Sequence, residues 1–127
     1  MKPLILVIED DPQIRRFLRA TLAAEGYQYQ EALTAHEGVA QAAARRPELV
    51  LLDLGLPDGD GLGVIQEIRQ TSQTPILVLS ARGQEQDKIA ALDLGADDYI
   101  AKPYSLEQLK SAIDRVIAGE QKLVAWA

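Results

Sequence analysis

Short aliphatic runs alternate with longer segments of helical periodicity along most of this chain. Leu4–Ile8 and Leu49–Leu52 are continuous aliphatic runs, which is the pattern of strands buried on both faces of a sheet. Further strands are predicted over 27–32, 76–79 and Asp98–Ala101. Five strands that each precede a helical segment predict an α/β domain, in which right-handed crossovers give a doubly wound parallel sheet.

The segments between the strands carry the spacing and punctuation of amphipathic helices. Pro12 suits the first turn of a helix that Gly26 ends, and Thr34 and Ser105 are predicted N-caps of helices that run to Arg45 and Ile117. Two more helices are expected, one after Gly61 and one over 86–94. The apolar residues expected to face the core include Ile14, Phe17, Leu18, Leu22, Val39, Ala42, Ala43, Leu62, Ile65, Ile68, Leu106, Leu109, Ile113, Val116 and Ile117.

Polar side chains collect where the predicted strands end. The candidates, in chain order, are Glu9, Asp10, Asp11, Asp53, Ser80 and Lys102. Because the carboxyl ends of parallel strands meet at one edge of an open sheet, these groups are expected to lie together. Crowded carboxylates repel each other unless a cation intervenes, and Mg2+ prefers such oxygen ligands. The pattern therefore predicts a magnesium site beside a hydroxyl and an ammonium group.

Each group in this cluster has a chemical role in the predicted site. Asp10 and Asp53 are expected to bind Mg2+ directly, with the backbone carbonyl of Gly55 as a third ligand and Glu9 acting through a bound water. An aspartate can attack phosphorus, which makes Asp53 the candidate phosphoryl acceptor. Lys102 and the metal would neutralise the phosphoryl oxygens, while the Ser80 hydroxyl would donate a hydrogen bond to one of them.

Composition narrows the class of protein. The 127 residues fit one domain and contain no cysteine and one histidine, His36, so thiolate and histidine-cluster metal sites are excluded. A net charge of -6 argues against nucleic-acid binding by this segment itself. The apolar runs are too short to span a bilayer, and the first residues lack the pattern of a signal peptide. A cytoplasmic protein is expected.

These motifs resemble receiver domains of bacterial response regulators. The resemblance covers about residues 4–118 and is carried by Glu9-Asp-Asp, Leu-Leu-Asp53-Leu-Gly-Leu-Pro-Asp-Gly-Asp-Gly, Leu-Ser80-Ala-Arg and Asp98-Tyr-Ile-Ala-Lys-Pro. Arg15-Arg-Phe-Leu-Arg and Asp87-Lys-Ile-Ala-Ala-Leu-Asp narrow it to the OmpR/PhoB class. It implies a flavodoxin-like, CheY-like fold with strand order 2-1-3-4-5.

The resemblance also implies the chemistry and the switch. A sensor histidine kinase would donate the phosphoryl group to Asp53, with Glu9 and Asp10 as the acidic metal pair. Ser80 and Lys102 would sense the phosphoryl group, and Tyr99 falls on the aromatic switch position. Lys102-Pro103 falls on a peptide bond that is usually cis. Arg82 is a candidate for tuning the loss of phosphate.

The sequence departs from the class pattern in two places, the region that follows the receiver and the surface used for dimerisation. The class carries a DNA-binding winged helix after the receiver, so residues 1–118 are expected to be the receiver and 119–127 a tail or the start of a linker. DNA would be bound only through a domain absent from this chain. The class also forms homodimers through its fourth helix, fifth strand and fifth helix. Lys88, Asp97 and Asp98 are present for this. The positions of their expected basic or acidic partners on the fifth helix are Gln108, Ala112 and Asp114, and Arg115 is a candidate substitute for one of them.

Two other classes of protein share part of the pattern. A Mg2+-dependent phosphatase with an aspartate nucleophile usually carries Asp-x-Asp on its first strand and a substrate cap, and 127 residues leave no room for a cap. A flavin- or nucleotide-binding module needs a Gly- or Ser-rich phosphate loop after its first strand, where this chain has Glu-Asp-Asp-Pro. We therefore expect a signalling switch whose only catalysis is its own phosphorylation and dephosphorylation.

Overall fold

The structure, a computed structural model, describes residues 2–81 and 85–119. Its strands are β1 (Leu4–Ile8), β2 (Gln28–Ala32), β3 (Leu49–Leu52), β4 (Gly55–Leu56), β5 (Gly59–Asp60), β6 (Ile76–Ser80) and β7 (Asp98–Ala101). Its helices are α1 (Pro12–Ala24), α2 (Ala35–Arg45), α3 (Gly61–Thr71), α4 (Glu85–Asp93) and α5 (Leu106–Ile117). The strands and helices alternate as the hydrophobic pattern predicts.

Five strands form one parallel sheet in the order β2-β1-β3-β6-β7. Counted within this sheet alone, the order is 2-1-3-4-5, so the predicted doubly wound topology is confirmed. The sequence did not indicate β4 and β5, which form a small antiparallel hairpin in the turn-rich segment after β3. Two-residue strands carry no periodicity, and this segment was predicted only as a turn.

Two hydrophobic cores cover the two faces of the sheet. On one face, β1, β3 and β6 pack residues such as Ile8, Leu52 and Val78 against α2, α3 and α4. On the other face, the alternate residues Val7, Leu51 and Leu79 pack against α1 and α5. Because strand side chains alternate between faces, β1, β3 and β6 each contribute to both cores, as their uninterrupted aliphatic sequences predict.

Caps define the helix boundaries. Thr34 and Ser105 are the N-caps of α2 and α5, as predicted, and Ser105 forms a reciprocal capping box with Gln108. Asp11 caps α1 by accepting hydrogen bonds from the backbone N–H groups of residues 13 and 14. Gly26 and Gly95 follow α1 and α4 with positive φ angles of 84° and 116°. These are the left-handed positions that glycine adopts without a steric penalty.

Three side chains expected in the core are instead exposed. Phe17 and Leu106 are 42% and 44% exposed, and Ala43 also faces solvent. Each lies at the margin of an apolar stripe, where helical spacing alone does not decide which residues the sheet covers. Ser80, predicted to open a loop, is the last residue of β6 and is fully buried.

Some predictions fall outside the described residues, namely Arg82 and the tail beyond residue 119. Among the residues that are described, no helix has the length and apolar character needed to cross a membrane.

Candidate functional site

Strand alternation brings the three central site residues together. Glu9, Asp53 and Lys102 each stand two positions after a residue that packs in the α1–α5 core, namely Val7, Leu51 and Ile100. Side chains two positions apart on a strand share a face, so all three project from the same side of the carboxyl edge. Neighbouring backbone bonds continue this register past the strand ends, from Asp53 N–H to the carbonyl of Ile8 at 3.0 Å.

The resulting cluster contains three carboxylates and one ammonium group. Carboxylate oxygens of Glu9, Asp10 and Asp53 lie within 4.8 Å of one another. Lys102 Nζ lies 3.2 Å from Glu9 Oε1 and 3.6 Å from Asp53 Oδ1, so one cation is shared between two acids. Asp10 is exposed, Asp53 is partly buried and Glu9 is 3% exposed, which arranges the acids from the surface inward.

The carboxyl group of Glu9 is harder to ionise in this cluster than it would be in water. Burial raises the pKa of its carboxyl above the ordinary value, and the charge of Asp53 adds to the increase. The backbone N–H of Asp11, which donates to Glu9 Oε2 at 3.2 Å, and the ammonium of Lys102 act in the opposite direction. A further cation beside these acids would therefore relieve repulsion that Lys102 leaves partly uncompensated.

Arg15 of α1 holds the acidic end of β1 in place. Its guanidinium donates to the backbone carbonyls of Glu9 at 3.2 Å and Asp10 at 2.8 Å. Asp11, the third acid of the run, turns away to cap α1 and does not join the cluster. The sequence did not assign these roles, because Arg15 acts on backbone groups and an acid before Pro12 is equally suited to capping or to metal binding.

The segment after β3 is anchored at several points. Leu54 and Leu56 are buried in the α2–α3–α4 core, and the N–H of Gly61 donates to the carbonyl of Leu54 at 2.9 Å. Gly55 lies beside Asp53, since a Cβ on Gly55 would be 3.9 Å from Asp53 Oδ2. The backbone of this loop is therefore held close to the acid cluster, where the Gly55 carbonyl was predicted to be a ligand.

Ser80 and Tyr99 lie on the opposite side of the sheet from Lys102. Ser80 follows Val78 by two residues, and Tyr99 pairs with Val78 and packs against the same α2–α3–α4 core. The two side chains therefore share a face, with Ser80 at the carboxyl edge and half-buried Tyr99 further from it. The backbone N–H of Lys102 donates to the Ser80 carbonyl at 2.8 Å, which links the two predicted phosphoryl sensors.

Tyr104 adjoins the site but was not predicted to belong to it. Burial raises its pKa to about 12, with contributions from the charges of Glu9 and Asp53. It follows the cis peptide bond between Lys102 and Pro103, which has the expected configuration. Its ring centroid is 6.5 Å from that of Phe17. Apart from its place directly after Lys102-Pro, no sequence signal indicated it.

The acids expected to support a dimer are engaged within the chain. Asp97 accepts from Arg69 at 3.1 Å, and Asp98 accepts from Arg115 at 2.9 Å. Ala112, expected at a charged surface position, is instead 1% exposed in the α5 core. Asp114 faces the Tyr27 hydroxyl at 3.4 Å, away from the hollow that β7 and α5 form. The residues of α5 that line this hollow are Ser105, Glu107, Gln108, Ser111 and Arg115.

The donor set fits a hard divalent cation. Three carboxylates converge at one solvent-accessible edge, and a flanking backbone segment approaches the same carboxylate of Asp53. All of these ligand atoms are oxygens, and an open, partly hydrated site with one or two carboxylates suits Mg2+. Lys102 lies on one side of the acids and leaves the outer side, where Asp10 is exposed, accessible.

Comparison with known proteins agrees with this geometry. The family model for the response regulator receiver domain matches residues 5–114. The KDP operon transcriptional regulatory protein KdpE of Escherichia coli (strain K12) is 51% identical over 109 residues, or 86% of this chain and 48% of that protein. The transcriptional regulatory protein KdpE of Mycobacterium tuberculosis (strain CDC 1551 / Oshkosh) is 43% identical over 122 residues, or 93% of this chain and 54% of that protein. The chain thus spans about half the length of the curated relatives it matches.

A solved structure supports the same assignment. The receiver domain protein (CheY-like) from Methanospirillum hungatei JF-1 superposes with a TM-score of 0.89 at 26% identity, covering 94% of this chain and 97% of that chain. The family match, the relatives and the fold all coincide with the sequence motifs around Asp53. This chain therefore belongs to the response regulator receiver domain family of two-component signalling proteins, and within it resembles KdpE regulators of the OmpR/PhoB class.

Proposed function

We propose that Asp53 accepts a phosphoryl group from a phosphohistidine of a partner sensor kinase in a Mg2+-dependent reaction. The observation that carries this proposal is the placement of Asp53 between two other acids and Lys102 at one accessible sheet edge. A carboxylate oxygen of Asp53 attacks phosphorus, the P–N bond breaks, and the donor histidine is released as the neutral imidazole after protonation. The product is an aspartyl phosphate.

The residues around Asp53 hold and neutralise the reacting groups. We propose that Glu9, Asp10, Asp53 and the Gly55 carbonyl hold Mg2+, directly or through water. When bound there, Mg2+ supplies positive charge to the phosphoryl oxygens. Lys102 Nζ supplies a second cation 3.6 Å from Asp53 Oδ1, and the Ser80 hydroxyl donates to a phosphoryl oxygen. The same groups allow slow self-phosphorylation from small donors and slow autodephosphorylation, which is the only catalysis we propose.

The switch couples this site to the β7 edge of the sheet. Ser80 and Tyr99 share the face that packs against α4, which supports the proposal that a shift of Ser80 toward the phosphoryl group lets the Tyr99 ring turn inward. The added charge near -2 supplies the bias for such a rearrangement. The output surface would then be formed by α4, β7 and α5.

An apolar hollow beside the site supports docking of the kinase over α1. It has a volume of about 290 Å3 and is lined by Gln13, Ile14, Phe17, Lys102, Pro103 and Tyr104. Phe17 is 42% exposed there and presents an aromatic ring to the hollow. We propose that the segment of the kinase that carries the phosphohistidine packs on this hollow, because the hollow is lined by Lys102, whose Nζ lies 3.6 Å from Asp53 Oδ1.

The output proposed for the whole protein is transcriptional regulation, as in the KdpE relatives, and the protein would act in the cytoplasm. DNA would be bound through a domain outside this chain. The receiver would comprise residues 1–118, with 119–127 as a tail or linker start. A homodimer would use α4, β7 and α5, where Lys88 and Glu107 are exposed. For Asp98 to form an ion pair with a second copy of the chain, its ion pair with Arg115 of the same chain must first break.

Phosphorylation from a small donor tests the proposed acceptor. With acetyl phosphate and MgCl2, intact-protein mass spectrometry should show one hydroxylamine-sensitive phosphoryl group, and chelation of Mg2+ should prevent its addition. Asp53→Asn should abolish the product because the amide lacks a nucleophilic carboxylate oxygen. Asp114→Asn, an exposed substitution on α5, is the matched control and should be phosphorylated like the parent. A phosphoryl group that persists on Asp53→Asn would overturn the assignment.

A further inference from the structure

Asp58 joins the tip of the β4–β5 hairpin to the beginning of α2. Its Oδ1 accepts from the backbone N–H of Ala35 at 2.7 Å, and its Oδ2 accepts from that of His36 at 3.0 Å. The first N–H groups of a helix have no partner within the helix, so this carboxylate caps α2 from 22 and 23 residues away along the chain. Thr34 caps the same helix locally by accepting from Glu37 N–H at 3.0 Å.

The hairpin that Asp58 holds contains the proposed backbone ligand of the metal. Gly55 opens the hairpin, pairs with Asp60 and lies beside the Asp53 carboxylate. Leu54 and Leu56 anchor the base of the hairpin in the core. The turn at Pro57 and Asp58 is exposed, and the two bonds to α2 fix it to a helix.

Helix α2 is in turn fixed to β1, the strand that directly precedes Glu9. Gly38 packs so closely on Ile8 that a Cβ at this position would lie 2.6 Å from Ile8 Cδ1. Ile8 ends β1 and directly precedes Glu9 and Asp10. A continuous path of contacts therefore runs from the acidic pair through Ile8, Gly38 and the first turn of α2 to Asp58 and the hairpin.

We propose that Asp58 is a positioning residue for the metal site, which sets the Gly55 carbonyl relative to Glu9 and Asp10. This inference rests on the proposed magnesium site and adds a residue that does not touch the ion. Asp58 suits the task because a carboxylate accepts two hydrogen bonds at once and also complements the positive end of the helix dipole. With the hairpin tip released, the Gly55 carbonyl would sample positions outside the ligand sphere.

The test compares two variants that each remove one cap from the same helix. Asp58→Ala removes the bonds to Ala35 and His36 N–H, and Thr34→Ala removes the bond to Glu37 N–H without touching the hairpin. Mg2+ dissociation constants are measured by amide NMR titration with MgCl2, well below the unfolding temperature. Asp58→Ala should bind Mg2+ on the order of tenfold more weakly, as for loss of an outer partner of a metal ligand. Thr34→Ala should bind it as the parent does.

A merely structural role for Asp58 predicts a different result. In that case both variants would unfold at lower temperatures with unchanged Mg2+ affinity, which would overturn the inference. Asp58→Asn keeps one acceptor oxygen and should give an intermediate dissociation constant. An intermediate dissociation constant supports the bridge of two hydrogen bonds, whereas parent-like Mg2+ affinity in both Asp58 variants rejects the positioning role.

Mg2+ binding by the parent protein and by Asp10→Ala distinguishes a failure of this inference from a failure of the proposed function. Should the parent itself fail to bind Mg2+, or Asp10→Ala leave binding unchanged, the proposed metal site fails. Should the parent bind Mg2+ through Asp10 while Asp58→Ala binds it equally well, only the positioning role fails.

Discussion

At the scale of single residues, the site depends on a missing side chain as well as on charged ones. The backbone of Gly61 passes so close to residues Asp53 and Leu54 that a Cβ on Gly61 would lie 2.7 Å from Leu54 Cα and 2.8 Å from the Asp53 carbonyl oxygen. Both atoms belong to the backbone and cannot rotate away. Gly61 therefore permits α3 to begin directly beside the residue that is proposed to accept the phosphoryl group.

Gly61→Ala should destabilise the protein and displace the Asp53 backbone. We expect a loss of about 1–3 kcal/mol in the free energy of unfolding, the cost of overpacking a site that cannot relax freely. Urea unfolding measures this loss, and a slower reaction with acetyl phosphate should accompany it. Gly63→Ala is the matched control, because a Cβ there meets nothing within 4 Å on the same helix. It should be neutral or gain about 0.5–1 kcal/mol. Equal stabilities for the two variants would contradict the steric argument.

Most charged residues of the site, but few of their supporting contacts, could be predicted from the sequence. Glu9, Asp53 and Lys102 are recognisable because each directly follows or ends an apolar strand, and the topology brings such ends together. Arg15 and Asp58 were missed because tertiary folding, and not the local spacing that marks Thr34 and Ser105 as caps, brings their backbone partners within reach. Asp58 also lies in a run of turn formers, which accounts for an aspartate without assigning it a partner.

At the scale of elements, the end of the sheet opposite the site is held by the half-buried side chain of Arg69. Arg69 of α3 donates to the carbonyls of Gly95, Ser72 and Thr74 at 3.0, 3.2 and 2.7 Å and to Asp97 Oδ2 at 3.1 Å. Asp97 Oδ2 also accepts from the N–H of Ile76, at the start of β6. This network ties the ends of α3 and α4 to the starts of β6 and β7, so it fixes how α4 and β7 sit against α3 and β6.

Arg69→Ala should destabilise the protein more than the loss of a surface ion pair does. Its side chain is 15% exposed, and its removal takes one donor away from three backbone carbonyl groups and from Asp97, at a cost of about 2–4 kcal/mol. Arg115→Ala removes a comparable Arg–Asp pair, but the Arg115 side chain is 46% exposed, so about 0–1 kcal/mol is expected. Guanidinium chloride unfolding of both variants measures the difference. Similar losses in the two variants would show that the Arg69 network contributes no more than a surface pair.

The strands of the main sheet and the five helices could be predicted from the sequence. Which residues at the margins of a helix face the core could not. The aliphatic runs indicated the strands and Gly26 indicated the end of α1, because the causes of both are local. Phe17 and Leu106 fit the helical spacing but lie beyond the area that the sheet covers, which depends on the crossing of α1 and α5 over the sheet. The β4–β5 hairpin depends on tertiary anchors at Leu54, Leu56 and Asp58 rather than on its own periodicity.

At the scale of the whole molecule, negative charge is concentrated where folding also buries a carboxyl group. The chain carries a net charge of -6, and three of its acids meet at one edge of the sheet. Such an arrangement makes the folded state resist ionisation of its most buried member, Glu9. The same repulsion would favour a bound cation, so under the proposed function the site gives up part of the stability of the metal-free fold in favour of metal binding.

The pH dependence of the thermal stability of Glu9→Gln, measured with and without Mg2+, tests whether metal-free stability is reduced in favour of metal binding. The pKa of Glu9 is raised in the folded state above its ordinary value of 4.5, so folding favours its protonated form. Its contribution to stability is therefore present below pH 4.5 and declines as pH rises from there through the raised pKa. Without Mg2+, Glu9→Gln should gain thermal stability relative to the parent across that window and keep the gain at pH 7. Mg2+ should reverse the order at pH 7, because the amide offers a weaker ligand. A variant less stable than the parent in chelator at pH 7 would show that the Lys102 pair outweighs the burial of Glu9, contrary to this account.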